Sequence, residues 1–190
     1  MTPSYRPRRT PVKSEDQQER QFSSTQVQVT GRAAEIVRKM QRAIQPADLG
    51  PEGLETEPHI TTKFGLHFQT PSVRLRQALK NFGPVEATLG KTSLFSNDDA
   101  DVLKVEVDSP GLHKLNKLIS RVIPTHDTHP RYIPHLTLAY LKPGHGKKYV
   151  GDTALAGQKL RFDNLTFSGR RGHRETIPLG ATVPGPYRVR

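Results

Sequence analysis

The sequence of 190 residues contains no cysteine. The chain therefore cannot form disulfides, Cys-ligated zinc sites or iron–sulfur clusters, and it has no thiol nucleophile. It also lacks a run of about 20 apolar residues, the length that a membrane span requires, and residues 1–20 contain no apolar segment typical of an export signal. We expect a cytoplasmic protein without a membrane-spanning helix, whose chemistry uses other side chains.

Acidic residues are in the minority, with 18 Asp and Glu against 29 Lys and Arg, which gives a formal net charge of +11. The excess is +2 in residues 1–20, +4 in residues 21–157 and +5 in residues 158–190. A basic surface favours anionic partners such as nucleotides and nucleic acid, although net charge of either sign also keeps a protein soluble. The modest central excess does not indicate an extended track for long RNA.

Residues 1–20 are rich in proline and charge and have no apolar periodicity, which predicts a disordered basic tail. Residues 21–180 form the predicted domain, and residues 181–190 a C-terminal tail. Strand-like and helix-like patterns alternate without the long apolar runs of a buried parallel sheet, so the predicted class is α+β with antiparallel sheets and flanking helices. The pattern predicts strands near 25–29, 58–68, 85–95, 101–108, 133–141, 160–167 and 176–179, and helices over 31–44, 72–81 and 111–122.

An internal repeat is the most informative feature of the sequence. Pro-His-Ile-Thr at 58–61 matches Pro-His-Leu-Thr at 134–137, and in each copy an aromatic residue follows the threonine three positions later. Side chains alternate between the two faces of a strand, so each copy predicts one polar and one packing face. The predicted polar faces carry His59, Thr61 and Lys63 in one copy and His135, Thr137 and Ala139 in the other. The predicted packing faces carry Ile60, Phe64, Leu136, Leu138 and Tyr140.

Paired histidine and threonine residues suit acid–base chemistry on a phosphoryl group. Imidazoles with a pKa near 6.5 can act as base and acid at neutral pH, and threonine hydroxyls can donate hydrogen bonds to developing negative charge. A binding module would need only Arg and Lys. The repeat therefore favours an enzyme that needs no metal and no cofactor.

These two motifs resemble the paired His-x-Thr signatures of the 2H phosphoesterase superfamily, which includes 2′,5′-RNA ligase-like proteins and cyclic nucleotide phosphodiesterases. The resemblance covers roughly residues 21–180. It implies two pseudo-symmetric lobes with antiparallel sheets around a central cleft, and it identifies His59, Thr61, His135 and Thr137 as the catalytic quartet. Segments 23–26 and 63–67 are also similar to phage-encoded members, some of which cleave the cyclic oligonucleotide signals of bacterial antiviral defence.

The resemblance implies a metal-independent phosphodiesterase that hydrolyses cyclic nucleotides or oligonucleotides. One imidazole would remove a proton from water or a ribose 2′-hydroxyl, and the other would protonate the leaving oxygen; the pseudo-symmetry leaves open which is which. Two alternatives remain: an enzyme that processes RNA ends with 2′,3′-cyclic phosphates or 2′,5′ linkages, and a non-catalytic RNA-binding module. The expected partner is a cyclic nucleotide or short RNA.

Three lysines are candidate substrate-binding residues: Lys63 on the predicted polar face, Lys142, and Lys147. Lys147 belongs to the Pro- and Gly-containing segment 143–148, which predicts a mobile basic rim over the cleft. A solvated lysine at a strand end is the alternative for Lys63. His126, Asp127 and His129 have residue types that bind zinc or manganese, but their position after Pro124 favours a surface turn.

Overall fold

The computed structural model describes residues 22–67, 72–126, 131–169 and 172–180. The predicted tails at 1–20 and 181–190 lie outside these residues. The helices are α1 (Gly31–Arg42), α2 (Ser72–Leu79) and α3 (Pro110–Val122). The strands are β1 (Ser23–Gln28), β2 (Leu49–Leu54), β3 (His59–Leu66), β4 (Val85–Ser96), β5 (Asp101–Asp108), β6 (His135–Leu141), β7 (Lys159–Phe162), β8 (Asn164–Ser168) and β9 (Arg174–Pro178), and short 3-10 helices span Pro46–Asp48 and Lys147–Tyr149.

The strands form one antiparallel sheet in the order β7-β4-β5-β6-β3-β1-β8-β9, with β2 paired to β6. The predicted α+β class is confirmed. The two motif strands, β3 and β6, are neighbours in the middle of the sheet, and the single residue pair Ile60–Leu136 joins them. The strands on either side of this pair form the two halves of the molecule.

The helices pack on the sheet through apolar side chains that belong to one buried cluster. Helix α1 contacts β6, α3 contacts β3 and β4, and α2 contacts α3 and β9. Helix α3 begins after Ser109, whose Oγ accepts a hydrogen bond from the Leu112 backbone N–H at 3.0 Å, and Pro110 suits the first helical position. Among the described residues, no helix has the length and apolar character needed to cross a membrane.

Two predicted elements differ from the structure. The strand predicted over 160–167 is two strands: β7 pairs with β4 at one end of the sheet, whereas β8 pairs with β1 in the other half. Residues 49–54, which lie between the predicted helix and the next predicted strand, form β2. Its proline is compatible with a strand that pairs on one side.

Candidate active site

The four residues of the predicted quartet lie on one face of the sheet, around the Ile60–Leu136 pair. Ile60 and Leu136 are fully buried, each with 0% of its surface exposed. Their chain neighbours point to the opposite face. In antiparallel register, His59 stands across from Thr137 and Thr61 stands across from His135. The structure therefore brings together two histidines and two threonines from segments distant in sequence.

Both histidines are held in the same orientation by a backbone carbonyl two residues earlier. His59 Nδ1 lies 2.7 Å from the Glu57 oxygen, and His135 Nδ1 lies 2.8 Å from the Ile133 oxygen. A carbonyl oxygen only accepts hydrogen bonds, so each Nδ1 must carry the hydrogen. In the neutral ring Nε2 is then the atom that can accept a proton. Both neutral rings thus have the same tautomer, with the lone pair on Nε2.

Each motif strand contains one extra residue directly after its threonine. On β3, Thr61 pairs with Gln26 and Lys63 pairs with Thr25, so Thr62 is the extra residue. On β6, Thr137 pairs with Lys104 and Ala139 with Leu103, so Leu138 is the extra residue. Each is a β-bulge, which changes the face of the residues that follow. The bulges occupy equivalent positions in the two copies.

The bulges correct the faces predicted for the second half of each motif. Lys63 is only 6% exposed and lies opposite the buried Thr25, away from His59 and Thr61. Ala139 is fully buried. Tyr140 pairs with Val102 on the face of the quartet and is partly exposed. Phe64, also partly exposed, contacts the ring of Phe22 with centroids 6.3 Å apart. Unbroken alternation predicted Phe64 and Tyr140 on the packing face. Neither residue belongs to the buried core.

The strands next to the motifs supply different neighbours to the two halves of the site. Thr61 and His59 pair with Gln26 and Gln28 of β1. Thr137 and His135 pair with Lys104 and Glu106 of β5. The threonine and histidine of the first motif therefore have uncharged cross-strand partners, whereas those of the second motif have charged ones.

An aromatic residue, Phe95 of β4, packs against the charged half of the site. Its ring makes an edge-to-face contact with the imidazole of His135, with centroids 5.0 Å apart. Lys104 Nζ lies 4.2 Å from the centre of the same ring and donates a hydrogen bond to Ser93 Oγ at 2.7 Å. Sequence reasoning did not find Phe95 or Lys104 as site residues. The available sequence signal was the alternation of Lys104 and Glu106 with Leu103 and Val105, which places the two charged residues together on one face of β5.

A tyrosine preceding the second motif supports the first motif. The hydroxyl of Tyr132 donates to the backbone oxygen of Thr61 at 2.9 Å, and its ring contacts that of His113. Burial raises the pKa of Tyr132 above its usual value, so the hydroxyl remains a donor at neutral pH. Tyr132, which lies just before the second motif in the sequence, therefore holds the main chain of the first motif at Thr61.

The structure does not bring Lys142 and Lys147 to the quartet. Both follow β6, whose seven residues place its end about 20 Å from His135 at about 3.3 Å per residue. Lys142 Nζ donates to the Ala47 oxygen at 2.8 Å, and Lys147 begins a short 3-10 helix. The segment 142–149 is instead bound to Asp48, and it does not form the predicted rim over the cleft.

The metal-binding alternative gains no support from the part of the chain that is described. His126 donates its backbone N–H to the Gly65 oxygen at 2.7 Å and stacks its ring on Phe22 at 5.5 Å. Asp127 and His129 lie outside the described residues. Within the described ranges, no three His, Asp or Glu side chains are grouped as metal ligands would be.

Comparisons with known proteins show a family and a fold. A family model described as the 2′-5′ RNA ligase superfamily matches residues 30–174. A structure of TT0787 from Thermus thermophilus is similar, with a TM-score of 0.58 and 17% identity over 83% of this chain and 97% of that chain. Escherichia coli LigT in complex with 3′-AMP has a TM-score of 0.56 and 16% identity over 84% and 95% of the two chains.

Kluyveromyces marxianus Usb1 with uridine monophosphate is also similar, with a TM-score of 0.56 and 14% identity over 85% of this chain and 99% of that chain. At these identities the likeness shows a shared fold. No curated protein shows significant sequence similarity to the chain.

Proposed function

Because the chain belongs to the 2′-5′ RNA ligase superfamily, we propose that it is a phosphodiesterase in which His59 and His135 transfer the protons. One observation carries this proposal. The two imidazoles lie on one face of the sheet, and both donate Nδ1–H to a carbonyl two residues earlier. Two rings of the same tautomer beside two threonine hydroxyls provide what acid–base cleavage of a phosphodiester requires.

The proposed reaction uses only side chains of this chain. Nε2 of one neutral imidazole removes a proton from water or from a ribose 2′-hydroxyl, and the resulting oxygen nucleophile attacks phosphorus. The bond between phosphorus and the leaving oxygen breaks, and Nε2–H of the other, protonated imidazole donates its proton to that oxygen. Thr61 and Thr137 donate hydrogen bonds to nonbridging oxygens. The orientation of the bound substrate decides which imidazole is the base.

The substrate we favour is a compact cyclic nucleotide or cyclic oligonucleotide, a class that includes antiviral signalling molecules. Four residues stand in register with the quartet on the neighbouring strands, and only Lys104 among them is cationic. A long RNA is held by many phosphate contacts, whereas a compact ligand needs few. A site with so few cations suits the latter.

Cleavage at RNA ends, with 2′,3′-cyclic phosphates or 2′,5′ linkages, is the second candidate. The observation that favours it is the shared fold with E. coli LigT, whose structure holds 3′-AMP, and with K. marxianus Usb1, whose structure holds uridine monophosphate. Both ligands are mononucleotides, so a small nucleotide end is compatible with this fold.

Alanine substitution of each histidine tests the proposed function. We expect His59→Ala and His135→Ala each to lower kcat by at least about 10²- to 10⁴-fold, because each variant removes one proton-transfer group. Turnover of a panel of cyclic dinucleotides, 2′,3′-cyclic nucleotides and 2′,5′-linked dinucleotides would be measured in the presence of EDTA. His173→Ala, which changes an exposed histidine next to the edge strand β9 and away from the quartet, serves as the matched control.

Turnover close to that of the parent protein in either site variant would refute the two-histidine mechanism. Activity that EDTA abolishes and a divalent ion restores would show that a metal is required. If the parent protein cleaves no member of the panel but binds RNA, it is a non-catalytic binding module.

A further inference from the structure

Lys104 occupies a position on the face of the quartet, yet the proposed proton transfers give it no role. It lies on β5 directly opposite Thr137 of β6, and cross-strand partners point to the same face. Its Nζ and the imidazole of His135 both contact the ring of Phe95, at 4.2 and 5.0 Å from its centre. Lys104 therefore lies within the candidate active site rather than at its rim.

The side chain of Lys104 is buried, and its ammonium group contacts two neutral groups, the Ser93 hydroxyl and the Phe95 ring. The residue is 5% exposed, and among the described residues no carboxylate reaches ion-pair distance of Nζ, which donates to the neutral hydroxyl of Ser93 at 2.7 Å. Burial lowers the pKa of Lys104, and the charge of Glu106 opposes this effect. Burying an ammonium group without a paired anion is costly. The site thus has positive charge that an incoming anion can pair with.

The equivalent position in the other half of the site holds a neutral residue. Gln26 pairs with Thr61 as Lys104 pairs with Thr137, and it is equally buried at 5% exposure. The histidines, the threonines and the bulges are the same in the two halves. The residues beside the threonines, Gln26 and Lys104, differ. A lysine is therefore not required to pack beside the motif threonine, since glutamine occupies the matching place. The charge distinguishes the two halves.

We propose that Lys104 is a substrate-binding cation that pairs with the phosphoryl oxygen held by Thr137. This inference rests on the proposed function and names the anion-binding half of its site. Ser93 and Phe95 hold the ammonium group when no phosphate is bound, and the flexible lysine stem turns it towards Thr137 when a phosphate enters. A cation–π contact and one neutral hydrogen bond are weaker than a charge-assisted bond to phosphate, so the exchange is favourable.

Binding of 3′-AMP over a salt series tests this proposal without requiring turnover. Lys104→Gln copies the residue of the opposite half, can still bond Ser93 and removes only the charge. We expect it to raise Kd by about 10- to 100-fold, as the loss of a charge-assisted hydrogen bond does, and to reduce the salt slope by about 1. Lys104→Arg keeps the charge and is expected to stay within about fivefold of the parent Kd.

Lys117→Gln is the matched control, because it makes the same charge change on the exposed surface of α3. It is expected to leave both Kd and the salt slope unchanged. Thermal unfolding checks that each variant folds, and Lys104→Met replaces Lys104→Gln if the buried amide destabilises the protein.

The outcomes separate this inference from the proposed function. Parent-like Kd and slope in a folded, uncharged Lys104 variant would overturn the inference even if turnover is normal. Failure of the parent protein to bind 3′-AMP or inorganic phosphate would overturn it as well. Weakened binding in a protein that cleaves no phosphodiester would support Lys104 as the anion site while refuting the proposed function.

Discussion

At the scale of single residues, we expect alanine substitution of the motif threonines to lower kcat less than alanine substitution of the histidines does. We expect Thr61→Ala and Thr137→Ala to lower kcat by about 10- to 1000-fold, because each removes one donor to the phosphoryl oxygens. Thr61→Ser and Thr137→Ser keep the hydroxyl and are expected to retain most of the activity. Steady-state kinetics with the preferred substrate measures both series.

Thr176→Ala is a suitable control for this series, since Thr176 is an exposed residue of β9. An equal loss in the serine and alanine variants would mean that the methyl group, and not the hydroxyl, matters. Thermal unfolding of all five variants shows whether packing contributes, which is most relevant to Thr137 because only 9% of it is exposed.

The sequence predicted which residues make up the quartet, because a repeated motif is visible without knowledge of strand pairing. Lys104 was not predicted because its place beside Thr137 depends on the register between β5 and β6. Lys63 was assigned to the wrong face because one extra residue in β3 interrupts the alternation. Lys142 was predicted near the cleft because it follows His135 closely in sequence. The extended strand β6 nevertheless separates the two residues by about 20 Å.

At the scale of secondary-structure elements, Asp48 joins the start of β2 to the segment after β6. Its carboxylate accepts hydrogen bonds from Lys148 Nζ at 2.7 Å, from the Tyr149 hydroxyl at 2.5 Å and from His145 Nδ1 at 2.8 Å. These donors, Lys148 foremost, hold the pKa of Asp48 well below its usual value of 3.8. The carboxylate therefore stabilises the fold above about pH 4, and this contribution is lost as the pH falls further.

We expect Asp48→Asn to lower Tm at pH 7. The Tm values of variant and parent should come closer together as the pH falls below about 4, because the unfolded parent then binds a proton that the folded carboxylate does not, and the parent loses this stabilisation. Thermal unfolding between pH 2 and 8 measures the effect. Asp99→Asn, an exposed residue of the β4–β5 turn, is the control. A Tm difference that does not change with pH would show that the charge of Asp48 is not the cause.

The strands could be predicted where alternation is regular, as in β4 and β5. Residues 160–167 were predicted as one strand because both of its parts alternate. The apolar positions 160 and 162 are out of phase with 165 and 167, however, and this change marks the boundary between β7 and β8. Recognising that these strands belong to opposite halves of the sheet requires the tertiary pairing with β4 and β1.

At the scale of the whole molecule, the distribution of charge bears on the choice of substrate. The net charge is +11, but residues 21–157, which contain the quartet, contribute only +4. Each neutralised phosphate steepens the dependence of log affinity on log salt by roughly 0.7 to 0.9. We expect a cyclic dinucleotide to be cleaved with higher kcat/KM than a long single-stranded RNA of the same bases, and with a shallow salt slope.

Kinetics for both substrates between about 50 and 300 mM salt provide the measurement. A linear dinucleotide with the same bases controls for base preference. Preference for the long RNA together with a slope of about four or more would contradict a compact substrate and would favour RNA end processing.

In the proposed mechanism, the two imidazoles exchange roles in successive steps, because their Nδ1 contacts are alike. Both donate to main-chain carbonyls, and a neutral carbonyl favours the protonated ring less than a carboxylate does. In the proposed mechanism, attack by a 2′-hydroxyl leaves the base protonated and the acid neutral. Hydrolysis of the resulting cyclic phosphate by water requires this reversed state. The two steps together form a closed proton cycle, which restores the starting state without proton exchange with bulk solvent.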